Sequence, residues 1–356
     1  MLNTQISSVL LNIATAENLT SVRMPGTIVG PISRFLGRFY NMLFDWLNNS
    51  VSAGALGLAI IIFTLVVKLI LFPLMVNQQK SSAKMQMLQP EMNRIREKYK
   101  GKTDQMSQQR MAVELQDFQK GNGISMLGGC LPMLVQLPIL YALFYLFQNA
   151  YMSVDVIGQN YVDIANAIIN IPVGARMEAF SPFAQAFADA YAKSATIKES
   201  GFDMGTLKDV VMLVNYLKVD DWAQIVATLG TNANELLPLL EVKNAMETFL
   251  TIPLVSPAGL KWPGILVPLL AGGTTFIQTK ITTSMTPTPD DANNPAASMT
   301  KTMLYIMPIM MGFFCITMPA GLGLYWIIGN IFGMIQQVIL NKVFKKKFLK
   351  EAQENG

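Results

Sequence analysis

The sequence predicts an all-α polytopic membrane protein with five transmembrane helices. Three observations carry that reading. Of 356 residues, 51% are hydrophobic and only 14% charged, against about 25% charged in a soluble chain. Several apolar runs approach the roughly 20 residues a helix needs to cross a bilayer. The two long polar segments differ in sign, one basic and one acidic, the asymmetry that separates cytoplasmic from outer loops.

Composition also excludes chemistry. The chain has no histidine, so His-dependent triads, His-based zinc sites and the ordinary pH switch are absent. Cys130 and Cys315 both fall in apolar runs and read as buried, inert thiols rather than a disulfide framework. Nothing predicts a metal site or a cofactor. The 24 methionines suit the irregular packing of a membrane core.

Residues 1–55 are expected outside the membrane on the extracytoplasmic side. Residues 1–25 lack a basic leader region and a lipid-attachment cysteine and predict neither a signal peptide nor a span, with an uncleaved leader as the alternative. Over 32–47, Ile32, Phe35, Leu36, Phe39, Leu43, Trp46 and Leu47 recur at helical spacing, while Arg34, Arg38, Asn41 and Asp45 step along the other face. This is an amphipathic helix for the membrane interface.

The first span runs over 56–76, with Pro73 in its last turn to bend the exit. It contains Lys68, which at a bilayer centre costs about 2.5–3.5 kcal/mol. Lys68 lies roughly 12 Å of helix from the end of the run. Two readings stand: its stem snorkels to the interface, or it faces a wet, protein-lined cavity. Thr64, four residues earlier, shares its face.

Residues 77–125 carry nine Lys/Arg against five acids. Met85, Leu88, Met92, Ile95 and Tyr99 alternate three and four apart, as in a coiled-coil seam. Gly101 to Asp104 supplies a turn, and Met111, Leu115 and Phe118 stripe a second helix. The segment reads as a basic cytoplasmic helical hairpin. The second span, 126–152, holds Gly128, Gly129, Pro132 and Pro138, with Gln136 between the prolines. Such breakers are tolerated where neighbours or water satisfy the backbone. Gln136 is either an interhelical hydrogen-bonding group or a cavity-lining one.

Residues 153–262 carry seven Lys/Arg against twelve acids and read as an extracytoplasmic helical domain. Trp222, Ile225, Val226 and Leu229 keep helical spacing, as do Leu236, Leu239 and Leu240. Asp220 and Asp221 read as a charge pair at a helix N-terminus. The remaining spans are 263–283, 302–318 and 321–343, separated by a cytoplasmic Pro/Asn-rich loop at 284–301 and a tight outer turn. The tail, 344–356, is basic and cytoplasmic. Five spans then place the N-terminus outside.

Four stretches, GLAIIIFTLVVKLILFPL, QKSSAKMQMLQPEMNRIREKY, LGGCLPMLVQLPILYALFYL and PAGLGLYWIIGNIFGMIQQ, resemble the YidC membrane-protein insertases, relatives of mitochondrial Oxa and chloroplast Albino proteins. The likeness covers 30–152 and 255–345, in order, and is to the five-span Gram-positive type. It implies that the spans enclose a hydrophilic groove open to the cytoplasm and to lipid. It also implies that nascent membrane proteins enter this groove, and that the chain works alone or beside the Sec translocon in the cell membrane. Lys68 matches a groove position usually held by arginine. Arginine stays charged and presents a planar fork, whereas a desolvated lysine can lose its proton. By the same resemblance Thr64, Gln136, Tyr325 and Trp326 contact substrate or line the groove; bundle packing or an interfacial belt is the plainer role for the aromatic pair. The 153–262 segment departs from the family's short outer region. The short tail weakens the expectation of strong ribosome binding, and the basic hairpin and the tail together are the expected contacts with a ribosome. The rival readings are a secondary transporter or channel using the intramembrane lysine, and a chaperone for proteins inserted by Sec. Against an intramembrane protease, the chain has neither histidine nor paired intramembrane acids.

Overall fold

The computed structural model describes residues 29–51, 53–102, 104–124, 131–192, 202–285 and 295–354. Residues 1–25, Gly128, Gly129, Cys130 and most of the 284–301 loop lie outside them, as do the side chains of Ile32 and Pro132. Among the described residues the fold is helical except for one pair of two-residue strands. It divides into two compact units, and helices α2, α6 and α15 contribute to both.

The first unit takes the described residues up to Ile60, with Ile139–Pro257 and Pro319–Leu322. Its first helix, α1 (Val29–Asn48), has three faces rather than two. Leu36, Tyr40, Leu43, Phe44 and Leu47 are buried, and Phe35, Met42 and Trp46 are exposed. Arg34 and Arg38 form the third, polar stripe. The Tyr40 hydroxyl donates to the Leu56 carbonyl at 3.2 Å, and its ring meets Phe147 edge-on. Asn41 and Asp155 exchange two hydrogen bonds.

Among the described residues, six further α-helices belong wholly to this unit: α7 (Ala150–Ser153), α8 (Asp155–Asn170), α9 (Val173–Ala192), α10 (Leu207–Tyr216), α11 (Val219–Leu229) and α12 (Leu236–Glu247). Five consecutive residues of α10, Val210 to Val214, are buried, so this helix is enclosed on every side. The Asp221 carboxylate accepts from the Lys218 amide at 2.8 Å and so caps the start of α11. Trp222 on that helix packs edge-on against Phe180. The strands β1 (Thr248–Phe249) and β2 (Ile252–Pro253) form a minimal antiparallel pair. Their turn places Leu250 and Thr251 at positive φ, an uncommon conformation for side chains of that kind.

A buried ion pair sits in this unit. Lys243 and Glu247, one turn apart on α12, pair with side chains only 9% and 5% exposed, and the ammonium lies 5.1 Å from the Tyr161 ring centre. Burial pushes the Tyr161 hydroxyl well above its ordinary pKa, and the charge of Glu247 adds to the rise. Removing one partner of such a pair leaves a buried charge uncompensated, at about 3–5 kcal/mol, whereas replacing both by apolar residues is often neutral or better. Lys243→Ala is therefore expected to lower the unfolding temperature of the purified protein sharply. The Lys243→Met, Glu247→Leu double variant recovers most of it.

The second unit takes Ile61–Pro138, Ala258–Met318 and the chain from Gly323 onward. Helix α2 (Ala55–Ile70) ends near its start, and α3 (Phe72–Met87) follows at 58°. The cause is Pro73, which lacks an amide hydrogen and clashes with the carbonyl four residues back. The break falls at Leu71, inside the run read from sequence as one span. Pro90 does the same downstream: α3 stops at Met87 and α4 (Gln89–Lys98) begins anew, so the Met85–Tyr99 seam crosses two helices. Within it Met92 and Ile95 are buried. Gly101 at φ +84° turns the chain, and Asp104 caps α5 (Gln105–Gly121) by accepting from the Ser107 amide. Lys98 and Tyr99 on or beside α4 both donate to Glu114 on α5, which holds that carboxyl below its usual range.

Helix α6 (Leu131–Gln148) carries Pro138 in its interior. Helices α13 (Leu266–Met285) and α14 (Pro295–Thr317) approach so closely at Gly272 and Gly312 that a Cβ on Gly272 would lie 3.2 Å from the Pro308 carbonyl oxygen. The last helix, α15, runs unbroken over Ala320–Glu354. Among the described residues, Ala320–Lys350 is the one helix both long and apolar enough to cross a bilayer, and α2 with α3 passes as a bent pair. Val135–Gln148 and Thr302–Thr317 are apolar but shorter. In α13 the second half is diluted by Thr274, Thr275, Thr279, Thr282 and Thr283.

Candidate functional site

The five residues singled out from sequence all fall in the second unit. Helix α2 is apolar except for Thr64 and Lys68 in its last two turns. Thr64 is fully buried, and Lys68 is half-buried. Both lie against Gly329 of α15. A Cβ built there would stand 3.2 Å from Lys68 Cε, 3.6 Å from its Nζ and 3.9 Å from Thr64 Cγ2. The lysine stem thus crosses α15 where that helix has no side chain. Among the described residues no carboxylate forms an ion pair with Lys68. A cation set among apolar helices without a fixed counter-charge is poised to attract an anion that arrives from elsewhere.

One turn before Gly329, Tyr325 is 2% exposed, and its hydroxyl accepts from Gln136 Nε2 of α6 at 2.8 Å. Gln136 is half-buried. Interhelical bonds of this kind in a membrane are worth about 0.6 kcal/mol and up to about 1.7. Gln136→Leu is expected to lower stability by that order, because it leaves the Tyr325 hydroxyl buried and unpaired. Adding Tyr325→Phe should remove most of the penalty, as read by unfolding in a double-mutant cycle.

Trp326 turns elsewhere. Its Nε1 donates to Thr275 Oγ1 of α13 at 2.8 Å. Asn330, one turn on, lies 3.0 and 2.9 Å from the hydroxyls of Thr274 and Thr275, and the opposite setting of its amide also reaches Gln278 Oε1 at 2.6 Å. Gly333 packs on Gln278, and Gln337 bonds Thr282. The adjacent aromatics therefore serve two helix pairs: Tyr325 binds α6, and Trp326 belongs to a polar ladder between α13 and α15.

The structure groups Lys68 with Thr64 and Gln136 with Tyr325, and sets Trp326 apart. Sequence reasoning missed Gly329, whose role depends on a partner helix far away in the chain. It also missed the ladder, although Thr275, Gln278 and Thr282 recur three and four apart, a readable polar stripe. Gln336 is 7% exposed, with neither amide atom paired among the described residues.

Fold and site together define a predominantly helical protein that keeps a cation and hydrogen-bonding side chains among apolar helices. The chain belongs to the 60Kd inner membrane protein family, whose pattern it matches over residues 46–195 and 221–347. It is similar to Membrane protein insertase YidC 2 of Bacillus anthracis, 28% identical over 312 residues, 88% of this chain and 78% of the relative. The Membrane protein insertase YidC of Oceanobacillus iheyensis is 28% identical over 324 residues, 89% of each chain. A longer relative of that name from Pelodictyon phaeoclathratiforme is 28% identical over 300 residues, 84% of this chain but only 35% of its own length. Within 153–262 the family match leaves residues 196–220 outside.

Proposed function

We infer that this chain is a membrane-protein insertase without enzymatic activity of its own. It takes nascent membrane proteins into a hydrophilic groove and releases their helices to the bilayer, alone or with the Sec translocon. The observation that carries the reading of the site is the half-buried Lys68, held with Thr64 against Gly329 and free of an ion-pair partner among the described residues.

In this account five spans, 56–76, 126–152, 263–283, 302–318 and 321–343, enclose the groove. The N-terminus lies outside and the C-terminus in the cytoplasm. The basic segment 77–125 meets the substrate, and a ribosome carrying it, from the cytoplasm. The Phe35, Met42 and Trp46 stripe of α1 beside Arg34 and Arg38 supports an interfacial placement of that helix.

The physical sequence is short. A substrate's polar tail, often acidic, enters the groove and is attracted by Lys68 more strongly than in bulk water, because the surroundings are less polarisable. Half-buried Gln136 offers a hydrogen-bonding group along the path, with Tyr325 bonded behind it and Thr64 packed beside the Lys68 stem, and Trp326 offers an apolar face. The groove shortens the hydrocarbon the tail must cross. The substrate helix then partitions into lipid, driven by about 25 cal/mol for each Å² of apolar surface buried. For an acidic tail moving outward, the membrane potential adds about 2.3 kcal/mol per charge per 100 mV.

The test is reconstitution. Purified protein in liposomes, with neither Sec nor nucleotide, should carry the tail of a single-span substrate to a protease-protected position. Solute flux that needs Lys68, with no substrate protection, would contradict the insertase reading and favour a transporter.

A further inference from the structure

The end of α15 carries an exposed basic face. Lys342, Lys345, Lys346 and Lys350 line one shallow recess with Leu349 and Gln353. Their spacing of three, four and eight residues puts them on one side of a single straight helix. All four lysines are exposed, and so are Val343 and Leu349 among them, at 55% and 49%. Lys350 has a loose contact with Glu354 at 3.6 Å; among the described residues no ion pair engages the other three.

The position of this face along the helix matters most. Helix α15 is continuous from Ala320 to Glu354. Its apolar part, from Leu322 to Asn341, is roughly 30 Å long at 1.5 Å per residue, which is the hydrocarbon thickness of a bilayer. Lys342 therefore begins where the hydrocarbon ends, and Lys345 and Lys346 follow within about 6 Å. That is the depth of the phosphate layer. The interleaved Val343 and Leu349 suit the acyl boundary beneath it. A nucleic-acid or protein partner in the cytoplasm would be better met by lysines beyond the headgroups.

We propose that Lys342, Lys345 and Lys346 form a binding site for the headgroup phosphate of anionic phospholipids, which anchors the cytoplasmic end of α15. The proposal rests on α15 crossing the membrane as inferred above. Lysines next to a spanning helix attract anionic lipid, roughly fivefold for each.

The experiment titrates the purified full-length protein in neutral detergent with phosphatidylglycerol and with phosphatidylcholine of the same acyl chains, counting bound lipids by native mass spectrometry. Wild type should prefer phosphatidylglycerol. Lys342→Gln, Lys345→Gln and Lys346→Gln together should weaken that binding about tenfold or more, and 1 M salt should do the same to wild type. Equal binding of the two lipids, or an unchanged triple variant, overturns the site. So does a triple variant that loses affinity for ribosomes but not for phosphatidylglycerol. The titration is blind to insertion: its failure removes the lipid site and leaves the insertase reading standing, whereas failed insertion in liposomes bears on that reading alone.

Discussion

In cells depleted of their own insertase, Lys68→Ala and Lys68→Glu are expected to fail to support insertion of substrates with acidic tails, and Lys68→Arg is expected to support it. A cation about 4 Å from a carboxylate, at an effective dielectric near 20, is worth about 4 kcal/mol. Losing a third of that lowers insertion about tenfold. Stability moves the other way. No ion pair holds Lys68 among the described residues, and a lysine inside an apolar span costs about 2.5–3.5 kcal/mol, so the alanine variant should be at least as stable as wild type. A functional loss with no loss of stability separates a working cation from a packing residue. Lys68→Gln sharpens the result: if glutamine works as well as lysine, polarity suffices and the charge account fails. A side chain at Gly329 should mimic the defect while keeping the charge, since Gly329→Val forces the Lys68 stem aside.

Gly57→Ala is expected to be among the most damaging single changes in the first unit. A Cβ at Gly57 would lie 2.2, 2.4 and 2.6 Å from Cγ, Cδ2 and Cβ of Phe249. The obstructing atoms are the root of the ring, not the tip of a flexible chain, so the strand must move. Overpacking typically costs about 1–3 kcal/mol and here should reach the top of that range. The readout is the fraction of monodisperse protein after detergent extraction and its unfolding temperature. Phe249→Gly in the same chain removes all three atoms and should recover folding. Gly158→Ala is the control without a remedy: its Cβ would meet the Tyr151 carbonyl oxygen at 2.5 Å, and no side-chain substitution removes a backbone carbonyl.

The helical class and the periodic faces were legible because they are local. Trp222, Ile225 and Leu229 fall on a buried face as their spacing requires, and Asp221 caps the helix it was expected to open. Legibility failed where two signals overlapped. The apolar residues of α1 look like one face on a periodicity count, yet Phe35 and Trp46 are exposed while Leu36 and Leu47 are buried. Pro73 was readable as a bend, but its strength was not: the helix breaks at Leu71. At the site, Thr64 and Lys68 share a face because helix geometry says so. That Tyr325 joins Gln136 while Trp326 joins Thr275 depends on which helices flank α15, which no local pattern encodes. Gly329 is the extreme case, a residue whose role is to leave room for side chains more than 250 positions earlier.

The most direct test of the account is site-specific crosslinking to a stalled nascent chain. A photoreactive residue at 64, 136 or 326 should each capture a substrate whose first transmembrane helix has just left the ribosome. A residue of α10 in the first unit, such as position 212, should capture nothing. Adducts at the three positions, lost when Lys68 becomes glutamate, are the result the account predicts. Absence of any adduct at 64, 136 and 326 with a substrate that still inserts would contradict it, because substrates would then pass somewhere else.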